Sequence, residues 1–226
     1  MATRYQSEPY LRNATGTVVS AFEEDDGRFC VAISDTIFYP QGGGQKGDRG
    51  IIRCAGREYV VVDTVKDTMS TDGRPLCVLQ EAAPELKAGE QVEMELDWAH
   101  RFAQMRLHSI VHLHHCMMEE VAGHTLPVPR TSDLQDNGTA LNRYETEEID
   151  ESLVNKAHEK MLAVVASGAA IITRDDPEKI GYRYWESLGF TIPCGGTHLS
   201  DVSEIGNFAI SYSKKKGNPR VSFELL

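Results

Sequence analysis

Two short pairs of metal-binding residue types stand far apart in the chain, and they constrain its fold more than any other feature. His108 and His112 are spaced i, i+4 within "HSIVH", and Cys194 and His198 have the same spacing within "CGGTH". On a helix, this spacing places two side chains on one face, one turn apart. A fold that brings both pairs together would create a site of three imidazoles and a thiolate, which suits Zn²⁺ better than harder or redox metals.

Each pair alone also has simpler explanations. Two histidines on a helix are often packed or solvent-facing, and Cys194 is consistent with a buried core thiol beside a strand-end His198. Cys194 is also consistent with a nucleophile that uses His198 as its base. The four-ligand hypothesis competes with that dyad and accounts for more of the histidines. Because "HSIVH" lacks the glutamate of a metalloprotease helix, peptidase chemistry is not predicted.

Length and cysteine usage indicate the broad class of the protein. With 226 residues and 41% hydrophobic content, the chain can bury one large core or two modest ones. Its five cysteines are odd in number and irregular in spacing, which indicates free thiols and a reducing compartment. No apolar run approaches the ~18 residues that a membrane span needs, and the first residues lack a secretory apolar core. We therefore expect a soluble, cytoplasmic protein with no membrane partner.

The charge balance bears on nucleic-acid partners. A formal net charge of −11 disfavours indiscriminate nucleic-acid binding and gives no indication of DNA as a partner. A polyanion would have to meet a local basic patch, and "SKKKGNPR" offers one in Lys214, Lys215, Lys216 and Arg220. A solvated turn between two strands is the alternative interpretation of the same residues.

The sequence divides near residue 97, where the hydrophobic period changes. Residues 1–97 contain short β-branched runs separated by turn signals such as "GGGQKGDRG" and "KDTMSTDGR", which predicts a small β-barrel domain. The predicted strands are "TGTVVSAF", "RFCVAISDTIFY", "GIIRC", "EYVVVDTV", "PLCVLQ" and "EQVEMELD".

Residues 98–226 favour an α+β domain. Apolar residues at helical spacing predict a long buried helix that ends near Gly123, and a second helix from an N-cap near Asp150 to Gly168. The polar segment between the helices is expected to hold a turn or hairpin, and "AAIITR", "GYRYW", "FAISYS" and "RVSFEL" are expected to form strands that pack on the helices.

A glycine-rich segment in the first domain is a further candidate. Three consecutive glycines flanked by two glutamines let a backbone approach a ligand closely and offer amide donors and acceptors. An ordinary long hairpin loop is the alternative. The residues concerned are Gln41, Gly42, Gly43, Gly44 and Gln45.

Three segments in this order, "TIFYPQGGGQKGDRG", "RLHSIVHLHH" and "PCGGTHLSDVSEIGNFAISYSKKKGNPRVSF", resemble the alanyl-tRNA editing family. That family comprises the editing domain of alanyl-tRNA synthetase and the free-standing AlaX proteins. The resemblance covers most of the chain and is weakest over residues 124–170. It implies an N-terminal β-barrel followed by a zinc-binding α+β editing domain of the threonyl/alanyl-tRNA synthetase type. The aminoacylation domain is absent from the sequence, so the resemblance implies editing in trans.

The resemblance also implies roles for individual residues. His108, His112, Cys194 and His198 would bind one zinc ion per chain. Catalytic roles are implied for Thr36, Gln45 and His115. Thr36 stands at a position that lines the amino-acid pocket in members of the family. Contacts to substrate or tRNA would come from the glycine-rich loop and the basic segment, that is from Gln41, Gly42, Gly43, Gly44, Lys214, Lys215, Lys216 and Arg220.

The activity that this resemblance implies is zinc-dependent hydrolysis of a mischarged aminoacyl-tRNA. Ser-tRNA(Ala) is the expected substrate, recognised at the acceptor end, and Gly-tRNA(Ala) is a second candidate. A pocket built for alanine discriminates only ~10²-fold against an added hydroxyl, so serine needs a second site that removes it. Two alternatives stay open: the same fold acting on another mischarged tRNA, and a zinc-stabilised RNA-binding module without turnover.

Overall fold

The computed structural model describes residues 3–70 and 73–226. The chain forms two compact units. The first comprises Met1–Gly42 and Lys46–Phe102, and the second comprises Gly43–Gln45 and Ala103–Leu226. The glycine-rich loop is thus divided between them. The predicted domain boundary at residue 97 stays a prediction.

The first unit is built on a closed barrel, as its sequence predicts. A short helix, α1 (Arg4–Ser7), precedes six antiparallel strands in the order β1-β2-β5-β4-β3-β6. Apolar residues of alternating strand positions, such as Val18, Ile52 and Met94, fill its interior. The strands are β1 (Asn13–Glu23), β2 (Phe29–Ile33), β3 (Gly50–Cys54), β4 (Arg57–Lys66), β5 (Pro75–Leu79) and β6 (Gln91–Leu96). The predicted turn "KDTMSTDGR" includes residues 71 and 72, which lie outside the described residues.

The predicted strand "RFCVAISDTIFY" is only half correct. It ends at Ile33, and the following residues leave the ladder although Ile37 and Phe38 are fully buried. Side chains bind the backbone there: the Phe38 N–H donates to Thr36 Oγ1 at 3.2 Å, and the Tyr39 N–H donates to the Asp48 carboxylate. These bonds replace strand pairing, which is why a β-rich sequence is irregular at this point.

The second unit holds two helices and two sheets, which confirms the α+β class. The sheets have the strand orders β12-β13-β8-β7 and β11-β10-β9. The helices are α2 (Trp98–Ala122), whose first turn belongs to the barrel unit, and α3 (Glu151–Ser167). The strands are β7 (Thr131–Leu134), β8 (Thr139–Arg143), β9 (Ile172–Asp175), β10 (Arg183–Ser187), β11 (Phe190–Pro193), β12 (Phe208–Lys215) and β13 (Asn218–Leu225), with a short 3-10 helix at Val202–Ile205 before β12.

The ends of both helices follow the predicted signals. α2 ends just before Gly123, whose φ is +74°. Glycine adopts this left-handed conformation readily at the end of a helix, whereas residues with a side chain rarely do. α3 begins after Asp150, whose carboxylate accepts the Leu153 N–H at 2.8 Å. The polar segment between the helices forms the β7–β8 hairpin, as expected. No helix among residues 3–70 and 73–226 is long and apolar enough to cross a membrane.

Candidate metal centre

The second unit brings the two predicted half-sites to one point. His108 and His112 project from α2, whereas Cys194 and His198 lie just after β11. One ligand atom from each of the four residues lies within 4.8 Å of every other. The group is formed by side chains from a rigid helix and a short loop anchored through the Cys194 N–H, which donates to the Arg183 carbonyl at 2.9 Å.

The distances in this group fit a tetrahedral metal site. Cys194 Sγ lies 3.4 Å from His108 Nε2 and 3.2 Å from His198 Nε2. Zinc bonds of ~2.0–2.1 Å to nitrogen and ~2.3 Å to sulfur place tetrahedral ligand atoms about 3.3–3.6 Å apart. His112 Nε2 is buried without a hydrogen-bond partner among the described residues. A buried polar atom is rarely left unpaired, so a metal ion would also satisfy His112.

Gln45 fixes the orientation of one predicted ligand. Its Oε1 lies 2.8 Å from His108 Nδ1 and accepts the Thr197 N–H at 3.1 Å, while its Nε2 donates to Thr197 Oγ1 at 2.8 Å. Since a carbonyl oxygen only accepts, Nδ1 of His108 carries the proton and Nε2 is left to face the site. This is the outer-shell arrangement that orients metal-binding histidines. Sequence analysis singled out Gln45 but not this partner.

Gly196 is required for space rather than for backbone freedom. A Cβ built at this position would meet His108 Cε1 at 2.1 Å and Nδ1 at 2.5 Å. Its backbone is not in the left-handed region. A glycine is needed at this position because the His108 ring packs directly on it.

Burial determines the charge of the ligands. Desolvation lowers the pKa of His108 to about 4, and it holds the pKa values of His112 and His198 well below their usual range. The three imidazoles are thus neutral at pH 7, the form that binds a metal. Burial also raises the pKa of the Cys194 thiol to about 11, so a nearby cation is needed to stabilise its thiolate. The donor set therefore fits a metal and does not fit a self-activated nucleophile.

The third predicted histidine of α2 lies outside the group of four. His115 is buried, its Nε2 lies 3.6 Å from Glu119 Oε1, and its ring stacks on Tyr144 with centroids 6.1 Å apart. Burial lowers its pKa, so it too is neutral at pH 7. Its catalytic role stays a prediction.

Two other histidines have structural surroundings. His114 is fully buried, with Nε2 3.4 Å from the Val154 carbonyl of α3 and its ring edge against Phe223. His124 is exposed and pairs with Glu148 at 3.2 Å. Neither belongs to the metal group.

The remaining predicted site residues are divided between the two units. In the first, the Thr36 hydroxyl is buried and lies 3.6 Å from Met94 Sδ, and the Gln41 N–H donates to the Thr64 carbonyl at 2.8 Å. The Gly42 carbonyl accepts the Tyr39 hydroxyl at 2.9 Å.

In the second unit, Gly43 and Gly44 both have positive φ. A Cβ on Gly44 would meet the Ser132 carbonyl oxygen at 2.3 Å, because the loop runs closely along β7. The Gly44 carbonyl accepts the Leu134 N–H at 3.0 Å. The glycines thus allow this close approach, which delivers Gln45 to His108.

The predicted basic segment forms the tip of the β12–β13 hairpin. Lys216 and Gly217 have positive φ and make the turn. Lys214, Lys215 and Lys216 are exposed, and Arg220 is half-buried. No carboxylate within the described part of the chain pairs with any of the four.

Residues 185–222, which contain Cys194 and His198, match the family described as the threonyl and alanyl tRNA synthetase second additional domain. The chain is 32% identical over 209 residues to the alanyl-tRNA editing protein AlaX-M of Pyrococcus horikoshii, a match that covers 90% of this chain and 87% of that protein.

Two longer proteins are also similar. The chain is 26% identical over 243 residues to the alanyl-tRNA editing protein AlaX-L of the same organism, covering 97% of this chain and 56% of AlaX-L. It is 31% identical over 227 residues to an alanine–tRNA ligase of Sulfurisphaera tokodaii, covering 91% of this chain and 24% of the ligase. The chain therefore spans about half the length of AlaX-L and most of AlaX-M. Because the chain is 32% identical to AlaX-M and covers 87% of that protein, it belongs to the alanyl-tRNA editing family.

Proposed function

We propose that this protein hydrolyses the ester bond of mischarged Ser-tRNA(Ala), with Gly-tRNA(Ala) as a second candidate substrate. The observation that carries the proposal is the group of His108, His112, Cys194 and His198 in a chain whose relatives are named alanyl-tRNA editing proteins. We propose zinc as the metal and one ion per chain, because three neutral imidazoles and a thiolate form a donor set that zinc prefers.

The residues of the chain would have distinct tasks. His108, His112, Cys194 and His198 would hold the metal, and Gln45 would keep His108 in the correct orientation. When bound, zinc supplies Lewis-acid chemistry, which polarises a carbonyl or lowers the pKa of water. We assign the backbone N–H groups of residues 43–45 to the oxyanion of the attacked ester. His115, which is neutral and buried, is our candidate for a proton acceptor near the site.

Selectivity for serine is proposed to come from Thr36. A site that hydrogen-bonds the serine hydroxyl can spare alanine by ~10⁴–10⁵, because its buried polar groups are left unpaired by a methyl group. Thr36 carries such a buried hydroxyl. Thr36→Val should reduce the ratio of serine to alanine hydrolysis, whereas Thr64→Val removes another buried hydroxyl of the same unit and should not. If the ratio of serine to alanine hydrolysis is unchanged in Thr36→Val, Thr36 does not recognise the serine hydroxyl.

A second candidate function is a zinc-stabilised RNA-binding module. Four protein ligands fill a tetrahedral shell, as in structural zinc sites, whereas catalytic sites keep one position open. Turnover separates the two. A catalyst deacylates many equivalents of Ser-tRNA(Ala) and spares Ala-tRNA(Ala), whereas a binding module protects one equivalent and releases no amino acid. If another mischarged tRNA is hydrolysed while Ser-tRNA(Ala) persists, the reaction type stands and the substrate changes.

A further inference from the structure

The outer face of the β12-β13-β8-β7 sheet carries a row of cations and hydroxyls. Strand register places Ser213 opposite Arg220, Arg220 opposite Arg143, and Arg143 opposite Thr131. Residues directly opposite each other on antiparallel strands point to the same face of the sheet. The next residues, such as Val221, are buried on the other face. The four side chains of this row, Ser213, Arg220, Arg143 and Thr131, therefore share the open face.

The described residues neutralise the two guanidinium groups in the row only weakly. Like charges directly opposite each other on neighbouring strands are destabilising. Within the described part of the chain, Arg220 has no carboxylate partner, and Arg143 reaches Asp133 only at 3.9 Å with both side chains more than one-third exposed. Such an exposed pair contributes little. A cross-strand arginine pair whose one counter-charge is a long, exposed pair with Asp133 indicates a site for an external anion.

The charge of the surrounding face suits a chain of anions that reaches the hairpin tip better than a single small anion. A groove of about 500 Å³ runs along this face, with Arg143, Ser211 and Ser222 in its lining. The lysines of the hairpin tip continue the positive charge beyond the arginine row, whereas Glu224 and Asp133 line the groove on the other side of it. A polyanion would thus be attracted to one end of the sheet and repelled from the other.

We propose that Arg143 and Arg220 together bind one backbone phosphate of the RNA substrate. Paired guanidiniums suit phosphate because each can donate two parallel hydrogen bonds. The Ser213 and Thr131 hydroxyls add neutral donors, and the Thr131 oxygen already accepts from Arg143 at 3.1 Å. The inference rests on the proposed function only in taking RNA as the substrate. Arg143 lies in the polar segment between α2 and α3, for which the sequence predicted a hairpin but no binding residue.

The test is binding of uncharged tRNA(Ala) to the full chain, followed by fluorescence anisotropy over a range of salt concentrations. Arg143→Gln and Arg220→Gln should each weaken binding by about tenfold. The double variant should lower the salt slope by ~0.7–0.9, the loss of one phosphate contact. The double variant should lose less than the product of the two single losses, because both groups serve one phosphate. Arg143→Lys should keep the slope, because it keeps the charge.

A matched control is Arg57→Gln, which removes the same charge from an exposed arginine of the barrel unit paired with Glu85. It should bind tRNA as the wild type does. The inference is overturned if Arg143→Gln and Arg220→Gln bind with the affinity and salt slope of Arg57→Gln, or if the wild-type protein does not bind uncharged tRNA(Ala).

Hydrolysis of a short ester, 3′-O-seryl adenosine, separates this inference from the proposed function. This probe lacks the phosphate chain, so its hydrolysis by the wild type tests the enzymatic proposal without the phosphate site. If the wild type cleaves it and the variants bind tRNA normally, the phosphate site is wrong and the enzymatic proposal stands. If the wild type cleaves neither 3′-O-seryl adenosine nor Ser-tRNA(Ala), but the arginine variants lose affinity for tRNA, the phosphate site stands and the enzymatic proposal fails.

Discussion

The side-chain carbonyl of Gln45 lies 2.8 Å from Nδ1 of His108, and both residues are buried. The same oxygen accepts the Thr197 N–H, so one amide connects the glycine-rich loop, the long helix and the loop between Cys194 and His198. Two of these segments supply residues of the candidate metal centre, and the third holds one of those residues, His108, in position. The loop would therefore contribute to this centre without donating a ligand.

Replacing Gln45 should weaken metal binding without removing a ligand. Gln45→Met keeps the volume of the side chain but leaves His108 Nδ1 without its acceptor, and loss of such a partner typically costs 10- to 100-fold in metal affinity. Zinc affinity, measured by competition with a chromophoric chelator, should fall by that factor. Gln104→Met, which changes another buried glutamine of the second unit, should bind zinc as the wild type does. Equal affinities of the two variants would contradict the orienting role.

A methyl group on Gly196 should displace His108. The added Cβ would lie 2.1 Å from the imidazole, so the ring has to move away from the other ligands. We expect Gly196→Ala to stay folded by circular dichroism and to lose most of its zinc at a chelator concentration that leaves the wild type loaded. In Gly42→Ala, the nearest group is the flexible Lys66 ammonium at 3.2 Å, and zinc should be retained. If Gly196→Ala kept its zinc at that chelator concentration, the predicted displacement of the His108 ring would be wrong.

The stability of the barrel unit should depend on Arg101. Its side chain is fully buried, donates to Asp48 Oδ1 at 2.9 Å, and also binds the Pro9 and Ile37 carbonyls at 2.8 Å and 2.6 Å. Arg101→Met would leave the Asp48 carboxylate buried without its cation, a change that typically costs ~3–5 kcal/mol of unfolding free energy. Urea denaturation would measure the loss.

The control for this prediction is Arg57→Met, which breaks an exposed ion pair with Glu85. Exposed pairs are screened by solvent and contribute little, so the urea midpoint should hardly change. If Arg101→Met and Arg57→Met unfolded at the same urea concentration, the buried ion pair would contribute no more to the free energy of unfolding than the exposed pair does.

Metal removal should expose one particular thiol. Cys194 is partly accessible, whereas Cys30, Cys54, Cys77 and Cys116 are buried and serve as internal controls. If Cys194 is a zinc ligand, its sulfur should resist alkylation by iodoacetamide in the zinc-bound protein. After chelation, peptide mapping should find the label on Cys194 before the other four. Labelling of Cys194 at the same rate with and without zinc would argue against its role as a ligand.

The parts of the fold that depend on local patterns were predictable from sequence. The alternation in β6 and the helical spacing of α2 reflect which positions of each element are buried. The two predicted ligand pairs are visible because the members of each pair lie four positions apart in the sequence. Long-range contacts have no such local signature. Nothing in "QGGGQ" shows that Gln45 meets His108, and nothing in "CGG" shows that a ring packs on Gly196. The irregular stretch after Ile33 was missed because its backbone N–H groups donate to side chains, those of Thr36 and Asp48, rather than to a neighbouring strand.

We propose that hydrolysis of Ser-tRNA(Ala) requires a metal ion held by His108, His112, Cys194 and His198. The most direct measurement is the deacylation rate of Ser-tRNA(Ala), beside Ala-tRNA(Ala), while zinc is titrated into metal-free protein. We predict that serine release rises in proportion to bound zinc, levels off at about one ion per chain, and leaves Ala-tRNA(Ala) intact. Metal-free protein that remains folded and deacylates Ser-tRNA(Ala) at the full rate would contradict the claim.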